Sequence, residues 1–106
     1  MDCLQVVTTA GSREEADRLA RSAVERRLAA CAQVVGPLTS TYWWQGTVET
    51  ATEWQCVFKT TSARLDELRA HLEGEHSYET PEIVATPIVA GADAYLEWIR
   101  RETGRA

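Results

Sequence analysis

The sequence lacks the features that mark several specialised classes of small protein. Its three cysteines, Cys3, Cys31 and Cys56, are odd in number and widely spaced, which argues against a disulfide framework and against a C-x-x-C metal or redox unit. We interpret them as small buried hydrophobic residues. No apolar run is long enough to span a membrane, and residues 1–5 lack the basic and apolar regions of a signal peptide. We therefore expect a cytoplasmic protein with no membrane partner.

Charge and motif content exclude further classes. The formal net charge is -5, the pI is near 5.0, and the chain has no basic stripe of the kind that follows a phosphate backbone. Nucleic acid is therefore not an expected partner. The sequence has no Gly-rich phosphate loop, no G-x-S-x-G and no H-E-x-x-H, so we predict no organic cofactor and no enzymatic activity. With 106 residues, of which 44% are hydrophobic and 25% charged, it is expected to form one globular domain over residues 1–106.

The first third predicts a strand followed by a helix. Leu4–Thr9 is a short apolar and β-branched run typical of a central strand. Ser12 and Glu15 have the spacing of a capping box, in which each side chain satisfies a free N–H group at a helix start. The residues at helical spacing on one apolar face are Ala16, Leu19, Ala20, Ala23, Val24 and Leu28.

The middle third predicts a long bent hairpin. A strand runs from Cys31 to Gln45 and is interrupted at Gly36-Pro37, where proline cannot donate to the sheet, so a bulge or bend is expected. Gln45-Gly46 is a plausible two-residue turn because glycine accepts positive φ. The return strand alternates Trp54, Cys56 and Phe58 on a core face with Glu53, Gln55, Val57 and Lys59 on a wetter face.

The last third predicts a helix, an edge strand and a final helix. Ser62 is placed to cap the first of these helices and Gly74 to end it. Ile83–Val89 contains Pro87 and therefore predicts an edge or bulged strand, while Asp93 is placed to cap the last helix. The order βαββαβ plus a C-terminal helix predicts an α+β, ferredoxin-like sandwich. The first of these helices is expected to carry Leu65, Leu68 and Leu72 inward, and the last helix contains Tyr95, Leu96, Trp98 and Ile99.

Aromatic residues crowd the predicted hairpin tip. Neighbouring strand residues point to opposite faces, so one layer of helices cannot cover both Trp43 and Trp44. Together with Tyr42 they would present an aromatic patch that monomers rarely tolerate. We expect this tip to meet another subunit; the alternative is a hairpin that curls and covers its own tryptophans.

Four motifs follow one another along the chain: Leu28–Val35, Thr39–Gly46, Phe58–Thr61 and His76–Ile83. In this order and spacing they resemble the CutA family of divalent-cation tolerance proteins, and the final Tyr95–Ile99 also resembles the terminal helix of that family. The resemblance covers essentially the whole chain.

The resemblance implies a ferredoxin-like subunit that assembles as a homotrimer through its long central strands, similar to the trimeric PII signalling proteins. It also implies a role in tolerance of copper and other divalent cations, with copper binding in some members and no established enzymatic activity. In relatives with assigned copper ligands, a cysteine and two adjacent histidines occupy the positions of Thr8, Glu75 and His76. Only His76 is retained here.

Two hypotheses for a site follow. In the first, His76, Glu75 and Glu79 supply one imidazole and carboxylates to a weak site for Cu(II) or another divalent cation. The alternative interpretation of His76 is a residue that favours a helix C-terminus, beside a solvated acidic surface.

In the second hypothesis, Lys59, Tyr78 and Glu82 form a polar effector pocket at a subunit boundary, as in a PII-like sensor. The segment from Tyr78 to Glu82 can also be read as a loop that only orders the entry into the last strand.

Overall fold

The computed structural model describes residues 2–104 and contains four strands and three α-helices. Residues 1, 105 and 106, the ends of the predicted domain, lie outside the described residues. A short 3-10 turn, Ser62–Arg64, precedes the second helix. The elements are β1 (Cys3–Ala10), α1 (Arg13–Glu25), β2 (Cys31–Trp44), β3 (Thr47–Thr61), α2 (Leu65–Glu75), β4 (Ile83–Pro87) and α3 (Asp93–Thr103).

The strands form one antiparallel sheet in the order β2-β3-β1-β4, which confirms the predicted α+β, ferredoxin-like arrangement. β4 is an edge strand, as the proline in it predicted. β1 pairs only with residues 54–61 of β3, so residues 47–53 of β3 pair with β2 alone. The β2-β3 hairpin therefore projects beyond the rest of the sheet.

Backbone geometry of the hairpin follows the predicted turn and bulge. Gln45 and Gly46 have φ of 50° and 80°, the positive values of a primed two-residue turn. The β2-β3 register shifts between Val35 and Leu38, around Gly36. A Cβ at Gly36 would lie 2.7 Å from the Trp54 ring, so glycine permits this close approach.

The main core lies between the sheet and the pair α1 and α2. Leu19, Leu68 and Leu72 are fully buried against Phe58 and Val6, which alternate with less buried neighbours along their strands. α1 begins as predicted, because the Ser12 side chain accepts a hydrogen bond from the Glu15 backbone N–H at 3.1 Å. The apolar pattern of the sequence therefore identified most of this core.

Four details of the helices differ from the predictions. Ser62 starts a 3-10 turn and makes no side-chain cap, and Asp93 is the first residue of α3, after Ala92 as the N-cap. Gly74 lies inside α2, which ends at Glu75, and its φ is not positive, so it does not form the left-handed helix end that was predicted. Leu28 is buried but follows the end of α1.

The opposite face of the sheet is partly covered by α3. Cys3 and Thr61, which are paired across β1 and β3, contact α3: the Cys3 thiol lies 3.8 Å from the Leu96 carbonyl oxygen, and the Thr61 and Thr103 hydroxyls are 3.5 Å apart. The remainder of this face is called the uncovered face. It carries Gln5, Val7, Gln33, Val35, Glu53, Gln55, Val57, Lys59, Val84 and Thr86.

Helix length also bears on membrane association. Among residues 2–104, no helix is both long and apolar enough to cross a bilayer.

Candidate functional site

The loop that follows α2 contains the histidine predicted as a metal ligand. α2 stops at His76, whose backbone turns to extended geometry while its N–H still bonds the Leu72 carbonyl at 3.0 Å. The His76 side chain is fully buried. Its Nε2 lies 2.7 Å from the carbonyl oxygen of Thr9, and its Nδ1 accepts the backbone N–H of Tyr78 at 3.1 Å.

These two contacts determine the tautomer of His76. A backbone N–H can only donate, so Nδ1 carries a lone pair; a carbonyl can only accept, so the proton is on Nε2. The ring thus joins the end of β1 to the start of the loop. Both of its nitrogens are occupied by backbone partners.

Glu15 makes a second connection between α1 and the loop. Its carboxylate accepts the Ser77 backbone N–H and the Ser77 hydroxyl, both at 2.8 Å, and lies 3.7 Å from an Arg18 nitrogen. The predicted reciprocal half of the capping box is therefore wrong: this side chain binds Ser77 rather than its own helix start. Arg18 also donates to the Glu75 carbonyl oxygen at 3.3 Å.

Electrostatics of Glu15 reflect these bonds. Burial alone raises the pKa of its carboxyl, but the hydrogen bonds from Ser77 and the nearby Arg18 guanidinium outweigh burial. The pKa of Glu15 consequently lies below its ordinary value of 4.5. Near neutral pH it is a charged anchor for the loop.

Tyr78 makes the third connection, to the hairpin. Its hydroxyl donates to the Glu53 carboxylate at 2.7 Å, and its ring lies 4.9 Å from the His76 ring. Burial, followed by the bond to Glu53, raises the pKa of Tyr78. A Cβ at Gly11 would lie 3.0 Å from the Tyr78 hydroxyl oxygen, so the β1-α1 turn closely approaches the ring.

The structure does not assemble the predicted metal ligands into a set. Glu75 and Glu79 are exposed, whereas the His76 ring is buried with both nitrogens engaged. Within residues 2–104, no group of three His, Cys, Asp or Glu side chains is arranged to hold a metal ion. A metal needs a free lone pair on its ligand, so His76 in this conformation does not fit that role.

Thr8, at the position where the family resemblance implied a cysteine ligand in some relatives, belongs to the core. It is fully buried and is paired with Cys56 in β3. Within residues 2–104, its hydroxyl oxygen has no hydrogen-bond partner. The side chain therefore lies on the helix-covered side of the sheet and is closed to solvent.

The residues predicted to line an effector pocket lie apart within one subunit. Tyr78 contacts Glu53 at one end of the uncovered face, while Lys59 is paired with Gln5 and Cys31 near the other end. Glu53 and Lys59 are six positions apart on an extended strand, a span of about 20 Å. Glu82 is exposed just before β4.

The three residues predicted to meet another subunit are all exposed. Tyr42 is 41%, Trp43 75% and Trp44 51% exposed. Trp43 is paired with Val48 and therefore shares the side of the core residues of β3, whereas Trp44, paired with Thr47, shares the side of the uncovered face. The hairpin does not cover its own tryptophans.

Sequence reasoning missed Glu53 and Thr9 as members of this site and assigned Glu15 only a capping role. One sequence signal concerned Glu53: the clean alternation along its strand places it on the face opposite the core residues. Its burial to 8% exposure depends on Tyr78, 25 residues later.

Comparison with known proteins gives a consistent result. A family model described as "CutA1 divalent ion tolerance protein" matches residues 4–102. A divalent-cation tolerance protein CutA of Thermus thermophilus is 43% identical over 99 residues, covering 93% of this chain and 96% of the relative. A protein of the same name from Archaeoglobus fulgidus is 43% identical over 94 residues, covering 89% and 91% of the two chains.

Other relatives are longer. The chloroplastic CutA 1 of Oryza sativa is 40% identical over 98 residues, which are 92% of this chain. This chain spans about half, 55%, of that rice protein and 54% of its Arabidopsis thaliana counterpart.

Solved structures agree with the sequence relatives. A crystal structure of CutA from Xylella fastidiosa has a TM-score of 0.95 at 33% identity and covers 98% of this chain and 100% of that one. The Thermus thermophilus divalent cation tolerance protein has a TM-score of 0.94 at 42% identity, over 96% and 99% of the two chains. The chain belongs to the CutA1 family of divalent ion tolerance proteins.

Proposed function

We propose that this protein acts in divalent-cation tolerance as a homotrimer, built through the β2-β3 hairpin and the uncovered face. The observation that carries the proposal is the exposure of Trp44 on the projecting hairpin, on the same side as Val35 and Val84, which are 51% and 50% exposed. Tyr42 is also on this side, because it is paired with Glu49. Exposed aromatic and aliphatic side chains thus occur on one side from the hairpin tip across the sheet, among polar ones.

Self-association removes this surface from water. Burying one tryptophan contributes on the order of 2 kcal/mol by area, and a closed ring repeats each contact in every subunit. When the contact is head-to-tail, from the hairpin of one subunit to the sheet face of the next, the smallest ring that closes is a trimer. We propose this assembly as the working state of the protein.

Native mass spectrometry and sedimentation velocity test the assembly. We expect a trimer for the unmodified protein and monomer or aggregate for Trp44→Glu. The matched control is Ala70→Glu, which adds the same charge on an exposed position of α2 and should remain trimeric. A Trp44→Glu protein that unfolds cooperatively and sediments as a trimer would remove this tryptophan from the interface.

We further propose that the assembly is a non-catalytic sensor whose small effector binds at the subunit boundary, around Tyr78. This loop is held on β1, α1 and β3 by His76, Glu15 and Glu53, so it is a rigid surface. It ends on the uncovered face, beside the surface proposed to meet a neighbour. Lys59 and Glu82 then belong to such a pocket only if different subunits supply them.

Copper binding is the second candidate, in a form that does not use His76. Glu75 and Glu79 are exposed carboxylates within five residues of one another and suit weak binding of Cu(II) or another divalent cation. We expect calorimetric titration of the metal-stripped protein with Cu(II) to give the same weak affinity for His76→Ala as for the unmodified protein. The double variant Glu75→Gln, Glu79→Gln should lose it. Loss of Cu(II) in His76→Ala alone would restore the histidine as a ligand.

A further inference from the structure

Glu53 is the most unusual carboxylate in the described part of the chain. It is only 8% exposed although it lies on the face of β3 that α1 and α2 leave uncovered. Its Oε2 accepts the Tyr78 hydroxyl at 2.7 Å, and residues 2–104 provide its carboxylate with no further hydrogen bond and no Arg or Lys partner. Buried carboxylates are normally paired with a cation or bonded several times over.

The free side of Glu53 remains reachable. Its second oxygen makes no hydrogen bond within residues 2–104, but it is not sealed from solvent. The position lies where β1 ends, because Trp54 is paired with Ala10, the last residue of β1. Beyond this point the hairpin projects alone, so Glu53 lies at the base of the projecting hairpin.

An aromatic side chain lies beside this carboxylate. The Tyr78 hydroxyl donates to Glu53 and is approached by Gly11, and the Tyr78 ring lies against the His76 ring at 37° between the planes. Aromatic faces attract cations, so Glu53 together with the Tyr78 ring suits a positively charged group.

The donor set favours an organic cation over a metal ion. Tight binding of a divalent metal needs three or more converging ligands, and the described residues contain no such group of His, Cys, Asp or Glu side chains. A primary ammonium or a guanidinium needs only one or two acceptors and gains from neighbouring rings.

We propose that Glu53 and Tyr78 bind a cationic nitrogen group, ammonium or guanidinium, that comes from outside the subunit. The proposal rests on the effector site proposed above and names its ligand class. Two sources share this chemistry: a free small amine, and Lys59 of a neighbouring copy. Lys59 lies on the same face but about 20 Å along its own strand, and it has no ion-pair partner among the described residues.

Titration with putrescine and with agmatine, followed by calorimetry and native mass spectrometry, tests the proposal. If the source is a free amine, the unmodified protein binds one of these probes, and Glu53→Gln weakens binding by roughly 10- to 100-fold, as expected for loss of a charged hydrogen bond. Tyr78→Phe should weaken it less. The matched control is Glu49→Gln, since Glu49 is an exposed carboxylate on the same side of the same strand and should leave binding unchanged.

If the bound cation is Lys59 of a neighbouring copy, the results differ. The probes then bind only to the Lys59→Gln variant. Glu53→Lys and Lys59→Glu each weaken assembly, and combining the two substitutions restores assembly. Absence of amine binding to both the unmodified protein and Lys59→Gln, with assembly unaffected by Glu53→Gln, would overturn the proposal. An unmodified protein that is monomeric would instead overturn the proposed trimer, and amine binding by that monomer would still support the Glu53 site.

Discussion

Replacing Glu15 should loosen the loop that carries Tyr78, because this carboxylate is the anchor for Ser77. Its side chain is 10% exposed and accepts two hydrogen bonds of 2.8 Å. A hydrogen bond to a charged group contributes about 1.5 to 3 kcal/mol, and both bonds share one carboxylate. We therefore expect Glu15→Ala to lower the free energy of unfolding by about 2 to 4 kcal/mol. Glu15→Gln should cost about 1 kcal/mol, since the amide keeps one acceptor.

The pH dependence of this effect has a definite sign. The folded pKa of Glu15 is below its ordinary value of 4.5, so the unfolded chain binds more protons in the acid range. The stability that the charge contributes is complete above pH 4.5 and is lost as the pH falls through the folded pKa. The difference between the unmodified protein and Glu15→Gln should shrink in that window.

Chemical denaturation at a fixed protein concentration, at neutral and at acid pH, measures these differences. The control is Glu14→Gln, which changes an exposed carboxylate on the same helical turn and should have little effect at either pH. Equal stabilities of Glu15→Gln and the unmodified protein at neutral pH, or a difference that grows in acid, would show that the charge on Glu15 does not stabilise the folded protein.

Two further predictions concern a glycine pair and a histidine. Gly36→Ala would place a Cβ 2.7 Å from the Trp54 ring and should destabilise the protein by about 1 to 3 kcal/mol. Gly74→Ala, in open space within α2, should stabilise it by about 0.5 to 1 kcal/mol. Similar denaturation midpoints for the two variants would contradict this prediction. Burial lowers the pKa of His71, whose Nε2 lies 2.9 Å from the Ser22 hydroxyl, so the free energy of unfolding should fall as the pH drops below 6.5. His71→Gln should flatten that slope in a pH series, and an unchanged slope would assign it to other groups.

Local features of the fold followed from the sequence because they depend on backbone dihedrals and on side-chain period. Ser12 caps α1 as its spacing predicted, and Gln45-Gly46 turns the hairpin with two positive φ values. The bulge beside Pro37 was also predictable from local chemistry, because proline has no N–H to donate to the neighbouring strand. Ser62 and Asp93 show the limit of such rules, because their side chains do not cap the helices they adjoin.

Partners distant in sequence were decided by the tertiary structure alone. The bond from His76 to Thr9 joins residues 67 apart, the bonds from Ser77 to Glu15 span 62, and Tyr78 reaches Glu53 across 25. Each depends on how α1, α2 and the hairpin pack on one sheet, which no local pattern encodes.

The sequence alone was enough to predict the order of strands and helices, most of the apolar core and the resemblance to a family. It could also name His76 and Tyr78 as residues of interest, because both occur in one motif. Only the packed structure showed that the imidazole is used internally, with both nitrogens bonded to backbone, while the buried Glu53 carboxylate has a single hydrogen-bond partner within residues 2–104. The physical reason is that the availability of a lone pair or a charge depends on which groups surround it, and packing decides those neighbours.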